Sequence, residues 1–331
     1  MEKQRNSYFD ALRGVAILMV VAIHTYNSAT SFDTPAGCMA MAVRNLFNCA
    51  VPIFLAISGY FLSRKNMKTG GGITSFWKRQ LPRVYVPYLI WALPSLALAL
   101  AGGRPLLSSL IFYFCCAFGV FYFVALIVQY YLLLPVLQRC ATAWGVAVSA
   151  LVSAVFIILM TWLTAVQGLN LLLLFRAGPF PVWLVFFVLG LYLGAHRRDY
   201  RLRWPLLCVV AGFVASCAET LWLNEQTGVP VVGIKLSAFC YAAAVIVFLF
   251  SGRAEQAAVR HGAWLQPLAW VGRLSYGVYL SHLLVLMVLR HFIKFPGWFV
   301  EWLVALAATC AMLAALRALL PQRLHRWLAL V

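Results

Sequence analysis

The stretch Phe9–His24, FDALRGVAILMVVAIH, decides the fold, because it is an apolar run long enough to enter a lipid bilayer. It carries Arg13 near one end and His24 at the other, eleven residues apart. At about 100° per residue, both lie within roughly 20° of one helix face, ~16 Å apart along the axis. Ionisable residues in an apolar span are costly unless they line a cavity or find partners, so both are functional candidates. The alternative is a positive-inside arginine and a histidine bonded to a backbone carbonyl.

The composition indicates a polytopic membrane protein. Of 331 residues, 64% are hydrophobic and only 10% are charged, whereas soluble domains are about half apolar and a quarter charged. The net charge of +18 would favour nucleic acid as the partner of a soluble protein. In a membrane protein, lysines and arginines in cytoplasmic loops explain it first, so we expect a lipid bilayer and no nucleic acid. The nine cysteines lack C-x-x-C spacing and mostly lie in apolar runs, so we predict neither a metal site nor a disulfide framework.

The apolar runs predict an all-α bundle of ten transmembrane helices that forms a single domain, residues 1–331, with both termini in the cytoplasm. This topology places 20 of the 26 lysines and arginines on the cytoplasmic side, as the positive-inside rule requires. The run 104–118 is apolar but short, and we predict a re-entrant or interfacial segment there. The predicted spans are 9–29, 42–63, 83–101, 119–138, 143–164, 181–195, 204–223, 232–251, 266–290 and 298–319.

His24 is the candidate general base. A buried neutral imidazole that faces a cavity can take the proton from a hydroxyl while that hydroxyl attacks a carbonyl. The residue that would orient His24 is not evident from the sequence. Asp10 is expected either to pair with Arg13 or to cap the start of the helix.

A basic segment, FWKRQLPRVYVPYLI at residues 76–90, leads into the third span, which we expect to be interrupted by its two prolines, Pro82 and Pro87. Arg79 and Arg83 are four residues apart and therefore share a helix face. Guanidinium groups suit phosphate, which accepts paired N–H bonds. The alternative is a positive-inside anchor at the lipid headgroups, which we favour for Lys78.

Further polar residues interrupt the apolar spans and are candidates for substrate binding. In NCAVPIFLAISGYFLSR (48–64), the Ser58-Gly59 pair is more often a sign of plain helix packing than of a binding site. In WVGRLSYGVYLSHLLVL (270–286), Ser275, Tyr279 and His282 follow i, i+4, i+7 spacing and form one stripe. The candidates for substrate binding are Ser58, Tyr60, Tyr122, Ser275, Tyr276 and His282.

Four pieces in order, FDALRGVAILMVVAIH, PIFLAISGYFL, KRQLPRVYVPY and VGRLSYGVYLSH, extend from the first predicted span to the ninth. On these pieces the chain resembles the acyltransferase-3 family of bacterial integral membrane acyltransferases. The resemblance implies transfer of an acyl group, usually acetyl from acetyl-CoA, to a hydroxyl of an envelope glycan or small molecule. Acetyl-CoA would be a co-substrate, with no permanently bound cofactor, and the location would be the bacterial inner membrane.

Position by position, the resemblance makes Arg13 and His24 the essential pair, and it places Arg79 and Arg83, with Lys78 beside them, in the donor-binding segment. Gln80 stands where the family often has the first arginine of an R-x-x-R spacing, a departure for which Arg79 would substitute. Some relatives carry a fused soluble domain. We expect none here, so the bundle itself would perform the transfer.

The main alternative is a transporter of an anionic or lipid-linked glycan substrate, since intramembrane ionisable residues and proline-broken spans also occur in transporters. The sequence shows no duplicated halves, which are a frequent transporter feature. A non-catalytic sensor is a third possibility. The acceptor, the acyl chain length and the oligomeric state stay open at this stage.

Overall fold

The computed structural model describes residues 6–26, 34–67, 70–196, 199–228, 231–260 and 262–330, and the chain in these ranges is helical, without a strand. The prediction of an all-α protein is confirmed. In chain order the helices are α1 (Ser7–Thr25), α2 (Pro35–Leu46), α3 (Ala50–Leu62), α4 (Gly70–Ala101), α5 (Leu106–Phe114), α6 (Tyr122–Leu137), α7 (Ala143–Thr161), α8 (Leu173–Ala177), α9 (Phe180–Ala195), α10 (Arg203–Thr227), α11 (Leu236–Leu249), α12 (Gly252–Arg260), α13 (Leu265–Arg273), α14 (Ser275–Phe292), α15 (Trp298–Leu319) and α16 (Gln322–His325).

Within the described ranges, seven segments are long and apolar enough to cross a membrane, and the number rises to nine if each of two bent pairs forms one span. The pairs are α11 with α12, bent by 61°, and α13 with α14, bent by 72°. Helix α9 is apolar but has only 16 residues, which gives a length of ~24 Å. The predicted count of ten therefore stays a prediction.

Two segments show how the local sequence shapes the spans. Helix α4 begins at Gly70, well before the predicted start at residue 83, and it continues through Pro82 and Pro87. The expected interruption is wrong, because a proline removes one backbone hydrogen bond and a long helix can absorb that loss.

Helix α5 has nine residues and is about 14 Å long, too short to cross a bilayer. The end of the first predicted span, residues 27–29, lies outside the described residues.

Glycines set the closest helix crossings. At Gly14 of α1, an added Cβ would overlap the Leu268 carbonyl of α13, and at Gly272 of α13 it would overlap the Asp10 carbonyl of α1. Gly59 of α3 meets the α9 backbone in the same way. Small residues allow this backbone approach in membrane bundles, so the packing interpretation of Ser58-Gly59 is confirmed for the glycine.

Candidate functional site

A cavity of about 610 Å³ inside the bundle brings the two conspicuous residues of α1 together, since both Arg13 and His24 line it. They lie ~16 Å apart along the helix axis, so the cavity follows more than half the length of α1. Its wall also contains apolar side chains from α3, α6 and α9. The polar lining residues are Arg13, His24, Arg44, Asn48, Ser58, Tyr122, Tyr131, Arg176, Ser275, Tyr276 and Tyr279.

At one end of the cavity, an ion pair within α1 and an aromatic ring of α3 hold Arg13 in place. Its Nη1 donates to Asp10 Oδ1 at 2.7 Å, and its guanidinium carbon lies 5.3 Å from the centre of the Phe61 ring. The predicted pairing of Asp10 with Arg13 is confirmed. The capping alternative is wrong, because the Asn6 side chain accepts from the amides of Tyr8 and Phe9 at the helix start.

The basic segment of α4 approaches the same end. Arg83 and Arg13 are both near enough to Tyr131 of the cavity wall to interact with it electrostatically. Lys78 and Arg79 are exposed, and Arg79 Nε donates to the Ser75 carbonyl at 3.1 Å. Arg83 is also exposed and does not line the cavity, but of the three predicted donor-binding residues it is the one that interacts with Tyr131 at this end. The roles of all three stay predictions.

At the other end, the half-buried His24 faces the cavity. Its backbone carbonyl accepts from Arg290 Nη2 at 3.0 Å, and Arg290 is itself paired with Glu301. In the described ranges the His24 ring makes no protein hydrogen bond, so the alternative of a histidine satisfied by a backbone carbonyl is not observed there. Its nearest aromatic neighbour is His282, with ring centroids 5.3 Å apart.

His282 is fully buried behind the cavity wall. Its Nδ1 lies 2.9 Å from the Val278 carbonyl and 2.8 Å from the Tyr279 carbonyl, and a carbonyl only accepts, so Nδ1 carries the proton. Nε2 is then left with a lone pair, and this buried atom has no partner among the described residues. The structure thus places an unused acceptor beside His24. A direct substrate contact by His282 stays a prediction.

The other predicted substrate-binding residues divide between two surfaces. Ser58, Tyr122, Ser275 and Tyr276 lie on the cavity wall, although the Tyr276 hydroxyl already donates to the Val84 carbonyl. Tyr60 instead stacks on Phe9, with ring centroids 4.5 Å apart, and borders a second, shallower pocket. A substrate contact by Tyr60 stays a prediction.

Two cavity arginines, Arg44 and Arg176, were not singled out from the sequence, which placed both on the outer side of the membrane. A usable signal was present for Arg44, since it lies within a segment, Pro35–Leu62, that is long and apolar enough to span a membrane. Among the described lining residues the cavity has arginines and no carboxylate, so its wall carries positive charge. In the described part of the chain no cluster of three metal-ligating side chains occurs.

Comparison with known proteins gives one match. The acyltransferase-3 family model, described as an acyltransferase domain, matches residues 6–317. No curated protein and no solved structure matches significantly. The matched range extends from α1 to the last turn of α15 and includes every residue that lines the cavity.

Proposed function

The chain belongs to the acyltransferase-3 family, and from this premise we propose that it moves acetyl, or another short acyl group, from cytoplasmic acyl-CoA to a hydroxyl of an envelope glycan or small molecule. The observation that carries the proposal is the shared cavity of Arg13 and His24. An acyltransferase that joins substrates from two sides of a membrane needs such a continuous space with a base inside it.

The donor occupies the end of the cavity at Arg13. Arg83 lies near this end, and Arg79 and Lys78 are exposed on the preceding turns of the same helix. Their cationic groups would bind the phosphates of CoA, since guanidinium groups form paired bonds to phosphate oxygens. The narrow pantetheine arm then enters the cavity and carries the thioester toward His24.

His24 acts as the general base at the other end. It accepts the proton of the acceptor hydroxyl while the hydroxyl oxygen attacks the thioester carbonyl, the carbon–sulfur bond breaks, and the proton passes to the departing thiolate of CoA. His282 is a positioning residue, because its free Nε2 can accept a hydrogen bond from the neighbouring His24 ring. That bond would leave the lone pair of the other His24 nitrogen directed at the cavity.

For the topology, we propose ten spans with both termini in the cytoplasm of a bacterial inner membrane. Helix α9 would be the tenth span besides the seven single spans and the two bent pairs. Its short length is acceptable, since the helix is buried among its neighbours and lipid does not have to match it.

Acetyl-CoA consumption by the purified protein in nanodiscs, with envelope glycans supplied and products identified by mass spectrometry, tests this function. His24→Ala should abolish transfer while the protein stays folded. Arg83→Gln should raise the KM for acetyl-CoA about tenfold, the value of one charge-assisted phosphate contact. The control is Arg139→Gln, an exposed arginine away from the cavity.

A transporter would leave acetyl-CoA intact under these conditions, and that outcome would refute the proposed function. Full activity in His24→Ala would remove this residue as the base. An unchanged KM in Arg83→Gln would remove its phosphate contact.

A further inference from the structure

We infer that the His24 end of the cavity contains an anion-binding subsite built on Arg44, with Arg176 as a second cation on the wall of the same cavity, so that the acyl acceptor carries a carboxylate or phosphate close to the hydroxyl that is acylated. This inference rests on the proposed function and names the class of its acceptor. Both arginines line the cavity, and Arg44 is close enough to His24 to interact with it electrostatically.

Neither arginine forms an ion pair with a described residue. In the ranges that the structure describes, the ion pairs are Arg13–Asp10 and Arg290–Glu301. Glu219, an acidic residue in this region, instead accepts from the amide and the hydroxyl of Ser237. Uncompensated cations in a low-dielectric cavity are costly, and an anionic ligand offsets that cost.

Hydrogen bonds to neighbouring side chains fix the position of the Arg44 guanidinium group. Its Nη1 donates to Asn48 Oδ1 at 2.8 Å, and Asn48 Nδ2 donates in turn to the Val232 carbonyl at 2.7 Å. Asn48 also contacts Asn45, whose Oδ1 accepts from the fully buried ammonium group of Lys235 at 2.6 Å. The buried network occupies one nitrogen of the guanidinium group and holds the group in one place.

The other two nitrogens of Arg44, Nε and Nη2, make no hydrogen bond to the described residues. Nη2 lies 3.9 Å from the position that a Cβ on Gly233 would occupy, and Gly233 lines the cavity without a side chain. A guanidinium group with one nitrogen fixed and another free is preorganised for a carboxylate or phosphate oxygen. An arginine retained only for folding would more often be saturated by carbonyls or a carboxylate.

The donor does not account for this subsite. In the proposed function the CoA phosphates bind at the Arg13 end, ~16 Å along α1 from His24. Only the thioester reaches His24, and a thioester has no formal charge. The negative charge that Arg44 attracts beside His24 therefore belongs to the molecule that arrives from the opposite end, which is the acceptor.

Equilibrium binding of two matched probes, octyl β-glucuronide and octyl β-glucoside, to the protein in phosphatidylcholine nanodiscs tests the inference. The glucuronide should bind about tenfold more tightly than the glucoside, since it adds a charge-assisted contact. Arg44→Gln should bring the ratio of the two affinities toward one, and Arg176→Gln should lower this ratio. Octyl phosphate as a third probe separates phosphate recognition from carboxylate recognition.

The matched control is Arg104→Gln, which removes an exposed arginine that lies over Phe112 outside the cavity and should keep the affinity ratio of the wild type. Equal binding of the two sugars by the wild type, or no binding of either, overturns the inference. So does an affinity ratio that survives Arg44→Gln. Repeating the binding measurement in nanodiscs that contain phosphatidylglycerol tests whether Arg44 binds an anionic lipid instead. If phosphatidylglycerol displaces the glucuronide from Arg44 and no soluble anion does, the site binds lipid headgroups and the inference fails. Acetyl-CoA consumption in the same preparation reports the proposed function separately.

Discussion

Replacing Gly272 with alanine tests whether the crossing of α1 and α13 holds the site together. An added Cβ would lie 2.9 Å from the Gly14 amide nitrogen and overlap the Asp10 carbonyl, whereas ordinary contact begins at 3.4 Å. Both neighbours are backbone atoms, so no side chain can rotate away and the helices must separate. Overpacking typically costs 1–3 kcal/mol, and a rigid contact of this kind should cost about 3 kcal/mol. Because α1 carries Arg13 and His24, acyl transfer should fall as well.

The assay is thermal unfolding of the purified protein in one detergent, with the folded fraction at each temperature measured by size-exclusion chromatography. At roughly 2–4 °C per kcal/mol, Gly272→Ala should lower the apparent melting temperature by about 6 °C or more. The control is Gly71→Ala, a helical position with no atom within 4 Å of the added Cβ, where alanine should be neutral or slightly stabilising. A Gly272→Ala protein that melts within about 2 °C of the wild type would show that this helix crossing tolerates the added methyl group.

Two further predictions concern residues behind the cavity wall. His282→Gln should lower kcat about tenfold at unchanged KM for acetyl-CoA, because the loss of an orienting hydrogen bond affects the base and not donor binding. A melting curve of the same preparation checks that the variant is folded. A kcat equal to that of the wild type would exclude the positioning role. Lys235→Met should change the melting temperature little, since it removes the burial cost of an ammonium group together with its hydrogen bonds. Lys235→Met should nevertheless weaken the preference for octyl β-glucuronide over octyl β-glucoside, because Asn45 and Asn48 then hold Arg44 less firmly. A preference equal to that of the wild type would show that the network does not position Arg44.

The helical class and the family could be predicted from the sequence, because both depend on local signals. Apolar runs of membrane length and four motifs in order require no knowledge of packing. The continuous helix from Gly70 could not be predicted, since proline and glycine propensities argue against it and a long helix overrides them. The 72° bend between α13 and α14 could not be predicted either, since the sequence there is one apolar run and predicts a single span.

The site divides in the same way. Helical spacing predicted that Arg13 and His24 share a face, and they line one cavity. The proximity of His24 and His282 depends on how α1 packs against α14, and spacing within either helix carries no information about it. Arg44 and Arg176 were counted on the outer side of the membrane by a topology rule that sums charges. Such a rule does not distinguish an arginine in water from one that lines a cavity.

The two ends of the cavity should bind their ligands almost independently, and this gives a last prediction. Two unit charges ~16 Å apart interact by only about 1 kcal/mol at an effective dielectric constant near 20. Removing the positive charge of Arg44 should therefore change the KM for acetyl-CoA by less than about fivefold, since a tenfold change needs 1.4 kcal/mol. The affinity for an anionic acceptor should fall by more than that. A parallel measurement of both quantities in Arg44→Gln checks the difference. If the KM for acetyl-CoA rose tenfold or more while acceptor binding stayed constant, Arg44 would contact the donor, and the two substrates would not approach from opposite ends.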